Sequence, residues 1–379
     1  MKMIYLANAR IPTEKAHGLQ IMKMAEAFKN QGLDFELVVA KRANNQLEKI
    51  DPFVYYGLKT KFPIKKIWLF DLVEAGLIFR KIGVFLQNSS FALSAAFYLI
   101  FKKADLIYSR DEFSVFLLSL FKKNIVLELH TFPKSKRGLY RFIFKRVKKI
   151  VVITGEIKKL IVGLEIAENK IIVCPDGVDI KQFMFKENKM DCRKRVGLLT
   201  DKNIILYTGH LFAWKGVYTL AESSKFLSDN ELIVFVGGMD YDRDKLKRFI
   251  EKNNLKNILF VAHRAPTDVP YYLKSADVVI LPNSATKKIS THYTSPMKMF
   301  EYMASSRPIV ASELPSLKEV LNQNNSILVK PDDPEALAGG IKKVLADKVL
   351  AEGVVKQALK DVDNYTWEKR AEKILNFLK

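Results

Sequence analysis

The 379 residues suffice for two domains of ordinary size, and a 49% share of hydrophobic residues excludes a disordered chain. Two cysteines, Cys174 and Cys192, exclude a disulfide framework and point to a reduced, cytoplasmic protein. The net charge of +21 is uneven: residues 1–175 hold 30 Lys and Arg against 15 Asp and Glu, a net +15, while residues 176–379 hold 32 against 26, a net +6. Such a basic first half calls for an anionic partner: nucleic acid, a phosphorylated small molecule, or an anionic membrane surface.

Taken in order, Met3–Ala7 reads as a buried strand, so no signal peptide is expected. Residues 8–17 form a loop with Pro12 and His17. Gly18 opens a helix with Ile21, Met24, Ala25 and Phe28 on one face, ending near Gly32, and Phe35–Ala40 is the next strand. This strand, loop, helix, strand unit with glycine at the helix start marks a doubly wound sheet. Residues 41–68 are irregular and rich in Lys and aromatics. Ile82–Phe101 carries no charge and is long enough to span a bilayer. Gln87-Asn88-Ser89-Ser90 interrupts it, which predicts a helix end, a loop and a second buried helix. Strands follow at 105–109, 125–129, 150–153 and 170–174, with a basic helix over 136–147.

Pro175-Asp-Gly-Val-Asp179 is turn chemistry and a domain boundary. A second alternating series has strands at 204–207, 231–236, 258–261, 278–281, 308–311 and 327–329. Asp333-Pro-Glu-Ala starts another helix, and an amphipathic helix, Trp367 to Leu378, ends the chain. The expectation is an α/β protein of two doubly wound, Rossmann-like domains facing a cleft. Their limits are 1–175 and 176–362, with a tail over 363–379. Ligands of such sheets sit at the carboxyl ends of the strands.

The stretch Ser290–Val310 reads as loop, helix and buried strand. Pro296 suits a first helical turn, and Thr294 or Ser295 can cap it. Met297, Phe300, Met303 and Ala304 recur at helical spacing and face a core. Amide groups at such a start can seat a phosphate, with Lys298 and Glu301 just inside. The alternative is an ordinary capped helix packed on a sheet. After the strand at 204–207 comes Thr208-Gly-His-Leu-Phe-Ala-Trp-Lys-Gly216. Gly209 and Lys215 there suit a diphosphate, or else form a glycine turn with a solvated lysine. It is not a Walker loop. Gly237-Gly238, then Ala262-His263-Arg264, follow the next two strands; the latter could meet a nucleobase or ribose, or lie on the surface. In the first half, His130 ends the strand at 125–129, where a histidine can serve a reacting hydroxyl or hydrogen-bond within a core. His17-Gly18 is the matching feature after the first strand. Arg110 follows the strand at 105–109 and could instead pair with Asp111 or Glu112.

Some chemistries lack their residues. No His/Cys cluster fits zinc, no Gly-x-Ser-x-Gly elbow is present, and no Asp-x-Asp pair follows a strand. A bound nucleotide diphosphate would be neutralised by Lys215, Lys298 and helix amides, with no metal and no cofactor. Lys134 to Lys149 mixes many cations with Leu139, Tyr140, Phe142, Ile143 and Phe144, and Lys59, Lys61, Lys65, Lys66 and Trp68 form a second basic, aromatic stretch. Both suit an anionic lipid surface, or a solvated face whose other side is core. Nucleic acid is not expected, because no recognition motif is present.

Together these motifs resemble the retaining glycosyltransferases of family 4, with the GT-B fold. The resemblance covers nearly the whole chain. It rests on Arg10 to Gln20, Glu128-Leu-His130, Cys174 to Asp179, Gly209 through Lys215-Gly216, and Ser295-Pro-Met-Lys-Met-Phe-Glu-Tyr-Met-Ala304. It implies transfer of a sugar from a UDP- or GDP-linked donor to the hydroxyl of a glycan or lipid-linked acceptor, with retention. Carried over by position, Glu301 binds the donor ribose. Lys215 and the amides around Ser295, Pro296, Met297 and Lys298 hold the diphosphate. Gly209, His210, His263 and Arg264 belong to the donor side, and His17 and Arg110 to the acceptor side. Gly18 approaches the transferred sugar and His130 touches it near the reacting centre, while the leaving phosphate helps deprotonate the acceptor. The final helix packs back on the first domain. Two departures concern the donor sugar: Tyr293 stands eight positions before Glu301 where many members have a second glutamate, and His210 stands where many have arginine. They keep an inactive partner subunit or a sugar-nucleotide epimerase as alternatives. The expected location is cytoplasmic, on the inner face of the cell membrane.

Overall fold

Short runs of β-branched and aliphatic residues, each followed by a helical stretch, fold into parallel sheets covered on both faces. The structure, a computed structural model, describes all residues except 43–46, 72–79 and 133–136, together with the side chains of Arg80 and Lys81. It divides into two units, Met1–Pro175 with Trp367–Lys379, and Asp176–Thr366.

In the first unit the strands are β1 Lys2–Ala7, β2 Asp34–Ala40, β3 Ile64–Ile67, β4 Leu106–Ser109, β5 Ile125–Leu129, β6 Lys149–Val152 and β7 Ile171–Val173. They pair in parallel in the order β3-β2-β1-β4-β5-β6-β7. The helices between them are α1 Ala16–Asn30, α2 Pro52–Tyr55, α3 Arg80–Ile100, α4 Glu112–Leu118, α5 Arg137–Arg146 and α6 Gly155–Val162. The order reverses between β1 and β4, so the loops after those strands diverge and leave a crevice at the sheet's carboxyl edge.

The second unit repeats the plan. Its strands are β8 Asn203–Thr208, β9 Glu231–Val236, β10 Ile258–Val261, β11 Val278–Leu281, β12 Ile309–Ser312 and β13 Ile327–Val329. Their order is β10-β9-β8-β11-β12-β13, again parallel, with the reversal between β8 and β11. Its helices are α7 Lys189–Val196, α8 Val217–Ser223, α9 Asp240–Lys252, α10 Val269–Ser275, α11 Met297–Ala304, α12 Pro315–Lys318, α13 Pro334–Ala346 and α14 Lys348–Val362. One core lies on each face of this sheet; Met299, Phe300, Tyr302 and Met303 of α11 belong to one of them. The last helix, α15 Trp367–Leu378, returns to the first unit and packs on α1.

Four local expectations need correction. Ile82–Phe101 is not broken at Gln87–Ser90: α3 runs through without a loop. The polar side chains are absorbed on its inner face, where Ser90 Oγ accepts from the Phe70 amide at 3.0 Å and donates to Gln87 O at 3.0 Å. Nor is α3 buried all round, since Leu93 and Phe97 are exposed. β3 lies inside the stretch read as irregular; its two central residues, Lys65 and Lys66, are exposed on a sheet edge, so it lacks an apolar alternation. Finally, α1 begins at Ala16, two residues before Gly18.

Candidate functional site

In the second unit, the strand reversal places the end of β8 beside the end of β11, and the two loops interlock there. Gly216 has φ +72°, and a Cβ on it would stand 1.6 Å from Pro282 O, so only glycine fits. Ser284 N donates to Trp214 O at 3.0 Å, tying the Lys215 loop to the β11 loop. The π-turn Ile289–Tyr293 leads to α11; it occupies part of the stretch read as loop. Neither Thr294 nor Ser295 caps α11: Pro296 takes the N-cap position without a side-chain bond, and Ser295 Oγ accepts from Asp176 N at 3.1 Å instead. Phe300, Met303 and Ala304 are buried as the spacing predicts, while Met297 is half-buried.

This packing buries ionisable groups and shifts them toward their neutral forms. Lys298 is 7% exposed, and its Nζ makes no hydrogen bond among the described residues. The ammonium lies 3.5 Å from the centre of the Tyr207 ring and 3.6 Å from where a Gly209 Cβ would be. Burial, then the neighbouring Lys215, hold its pKa well below the ordinary lysine value. Lys215 is half-buried beside the Phe212 and Trp214 rings, and burial lowers its pKa from 10.5 to about 8. One turn along α11, burial pushes Glu301 up to about 7, against the pull of Lys298. Asn283 Oδ1, after β11, is buried and makes no hydrogen bond among the described residues. Two desolvated lysines, a desolvated carboxyl and an unsatisfied amide oxygen thus gather at a strand reversal, offering donors for an anion and acceptors for hydroxyls. Leaving such groups buried costs stability, and a bound anion would offset that cost.

Tyr302 was not singled out from the sequence. Its hydroxyl takes a hydrogen bond from Thr208 N at 2.9 Å and lies 3.2 Å from Thr208 Oγ1, fixing α11 against the end of β8. The His210 ring stacks on Phe212 with centroids 5.0 Å apart, and His210 O accepts from Tyr207 OH at 2.6 Å. His263 and Arg264 are exposed after the edge strand β10, two strands from the reversal. Tyr293 is half-buried in the π-turn.

In the first unit, the central feature is Glu128, fully buried at the end of β5 and read from the sequence only as part of a motif. Its Oε1 accepts from Gln20 at 2.9 Å, from Arg370 of α15 at 2.9 Å, and faces His130 Nε2 at 2.5 Å. Its Oε2 accepts from Tyr108. Burial pushes this carboxyl up, but Arg370 and then His130 outweigh it and hold Glu128 well below the usual carboxylate range. The bond to Nε2 orients the His130 ring and leaves Nδ1 turned elsewhere. Arg370 also donates to Pro175 O at 2.8 Å and Cys174 O at 3.2 Å, so α15 is bound into this network. Arg110 donates to Gln20, while Asp111 caps α4 and Glu112 accepts from Tyr140. His17 is half-buried, and burial followed by Arg110 lowers its pKa to about 4. At Gly18 a Cβ would stand 2.3 Å from the Tyr56 hydroxyl, which is itself bonded to Thr13 N and O at 2.8 Å. Packing therefore requires glycine at this position.

Residues 188–361 match the family model described as glycosyl transferases group 1. An uncharacterized glycosyltransferase of Methanocaldococcus jannaschii is 26% identical over 239 residues, 61% of this chain and 60% of the relative. The UDP-Gal:alpha-D-GlcNAc-diphosphoundecaprenol alpha-1,3-galactosyltransferase of Escherichia coli is 25% identical over 260 residues, 64% of this chain and 65% of the relative. The matches thus span 52% to 65% of the length of these relatives and of a Bacillus subtilis teichuronic acid glycosyltransferase. Among solved structures, Anabaena HepE in complex with UDP has a TM-score of 0.77 at 15% identity, covering 100% of this chain and 99% of that one. Sucrose-phosphate synthase of Thermosynechococcus elongatus has a TM-score of 0.78 at 19% identity, covering 99% and 98%. The chain thus has the GT-B fold, and residues 188–361 of its second unit carry the match to group 1 glycosyltransferases.

Proposed function

We propose that the chain is a retaining, metal-independent glycosyltransferase of the family 4 type, acting on a UDP- or GDP-linked sugar. The observation that carries this reading is the buried, unbonded Lys298 ammonium beside Lys215 and Glu301 at the β8/β11 reversal. The two lysines and the α11 amides take the diphosphate, and Glu301 accepts from the ribose hydroxyls. The HepE structures with UDP and with UDP-glucose support a nucleotide-sugar ligand. Within the first unit, His130 is held by Glu128, and His17 and Arg110 are assigned to the acceptor.

In this reading the bond from the sugar's anomeric carbon to the diphosphate oxygen breaks. A bond to the acceptor oxygen forms on the same face, and the acceptor proton passes to the leaving phosphate. The acceptor is a glycan or a lipid-linked saccharide, as the printed substrate of the Escherichia coli relative suggests. The enzyme then works from the cytoplasm on the inner face of the cell membrane. The test is incubation with UDP- and GDP-sugars and membrane extract, followed by nucleotide release and the anomeric coupling constant of the product. Product of inverted configuration, or release that requires a divalent ion, refutes the corresponding part.

A further inference from the structure

The first unit carries apolar surface that, among the described residues, neither the sheet nor the other helices cover. Helix α3 is apolar on both sides. Its inner side, with Phe91, Ala95 and Leu99, is buried in the unit. Its outer side presents Ile82, Phe85, Leu86, Leu93 and Phe97, with Phe97 77% exposed, and Phe101, 83% exposed, follows just past the helix end. At the helical period these six fall on one side in two groups, Ile82, Phe85 and Leu86, then Leu93, Phe97 and Phe101, with Ser89 and Ser90 between them. Phe85 continues the first group onto α4 by a ring contact to Phe113 at 6.2 Å. Scattered exposed apolar residues need no explanation, but two such groups on one side of a helix do.

The rim of this side is basic and aromatic. Trp68 and Phe70, each 54% exposed, lie 4.3 Å apart, and the Phe70 amide is bonded to Ser90 at mid-helix. Lys65 lies 5.9 Å from the Tyr98 ring, and Lys66 and Lys103 are exposed. The nearby acids are engaged: Glu36 pairs with Lys102, Asp105 accepts from Lys2 N, and Asp71 accepts from Gln87. Helix α5 contributes less, because Arg141 pairs with Glu165 and Arg146 donates to Ser119 O; residues 134–136 lie outside the described residues.

We propose that α3 lies flat in the headgroup region of an anionic bilayer, its outer side inserted and Lys65, Lys66 and Lys103 on the lipid phosphates. The argument for lipid is charge. A half-chain of net +15 repels a second copy of itself, whereas an anionic surface attracts it. A transmembrane span is excluded by the buried inner side of the helix: Phe91, Ala95 and Leu99 hold it to the sheet. The proposal deepens the reading of a lipid-linked acceptor, and its test reads partition rather than turnover, so either can fail without the other.

The experiment compares the full-length protein with Leu93→Glu/Phe97→Glu and Lys65→Glu/Lys66→Glu/Lys103→Glu in sedimentation with phosphatidylcholine vesicles, with and without about 30% phosphatidylglycerol. UDP-induced thermal stabilisation is the control for an intact second unit. The wild type is expected to partition onto anionic vesicles at least tenfold more than onto neutral ones, and each variant to lose at least tenfold of that partition with the UDP response unchanged. Absence of wild-type partition, or partition that survives Leu93→Glu/Phe97→Glu, overturns the proposal. A lipid-free dimer dispersed by the same variant would assign the outer side to a second copy of the chain and overturn it too.

Discussion

Replacing Lys215 by Met probes the proposed donor seat from both sides. The folded protein holds this lysine at a pKa of about 8 against 10.5 when free. At about 1.4 kcal/mol per tenfold change in proton affinity, the charged form costs the empty protein roughly 3 kcal/mol at pH 7. The unfolded chain binds the extra proton between pH 8 and 10.5, so wild-type stability rises with pH across that window, and the cost is fully present below it. Methionine fills a similar volume without charge. At pH 7 the empty variant is therefore expected to be more stable than wild type by up to roughly 3 kcal/mol. That is about 4 °C in Tm if the chain melts as one and about twice that if the second unit melts alone. The gain shrinks toward zero above pH 10.5. With UDP the gap closes: at a hundredfold excess over Kd the wild type gains about 2.7 kcal/mol, nearly the whole difference, and the variant gains far less. Calorimetry at pH 7 and 10, with and without UDP, reads all four states. A variant less stable than wild type by the same amount at both pH values, or equally stabilised by UDP, would refute the reasoning.

Other substitutions test separate parts of the account. Glu301→Ala should weaken UDP binding by about tenfold to a hundredfold in titration calorimetry, the worth of a hydrogen bond to a charged group; unchanged affinity removes the ribose assignment. The Glu301 carboxyl stands at about 7 against 4.5 when free, so this group makes the empty protein lose stability as pH rises from 4.5 to 7. Glu301→Gln should flatten that dependence in a pH series of melts. Arg370→Ala leaves Glu128 charged, buried and short of its cation, and should cost about 3–5 kcal/mol in urea unfolding of the first unit; a loss under 1 kcal/mol would contradict the network. Gly216→Ala forces a Cβ into Pro282 O at an unfavourable φ. It should abolish UDP stabilisation while leaving the first unit folded, as read by limited proteolysis.

The sheets were legible because their strands are short apolar runs between clear turn residues, as at Ile204–Thr208-Gly209 and Val278–Leu281-Pro282. β3 was not legible: Ile64-Lys-Lys-Ile67 is an edge strand with exposed central residues, and its pattern resembles a loop. The grouping of Gly209, Lys215, Lys298 and Glu301 was legible because they lie just after strand ends or at a helix start. The sequence could not say that Lys298 would be buried without a partner, because burial comes from packing between α11 and β8 through Tyr302 and Tyr207. Glu128 and Arg370 were missed as a pair since 242 residues separate them. In α3, an apolar composition on every side concealed which face would pack, and the polar Gln87–Ser90 stretch suggested a break where it supplies inner hydrogen bonds.

The central claim is that the Lys215–Lys298–Glu301 group binds a nucleotide-diphosphate sugar. Its most direct measurement is titration calorimetry of the wild type and Lys298→Ala with a panel of UDP- and GDP-sugars. The account predicts saturable binding of at least one donor by the wild type and at least a tenfold loss in the variant. Binding of no donor, or binding that Lys298→Ala leaves unchanged, would contradict it.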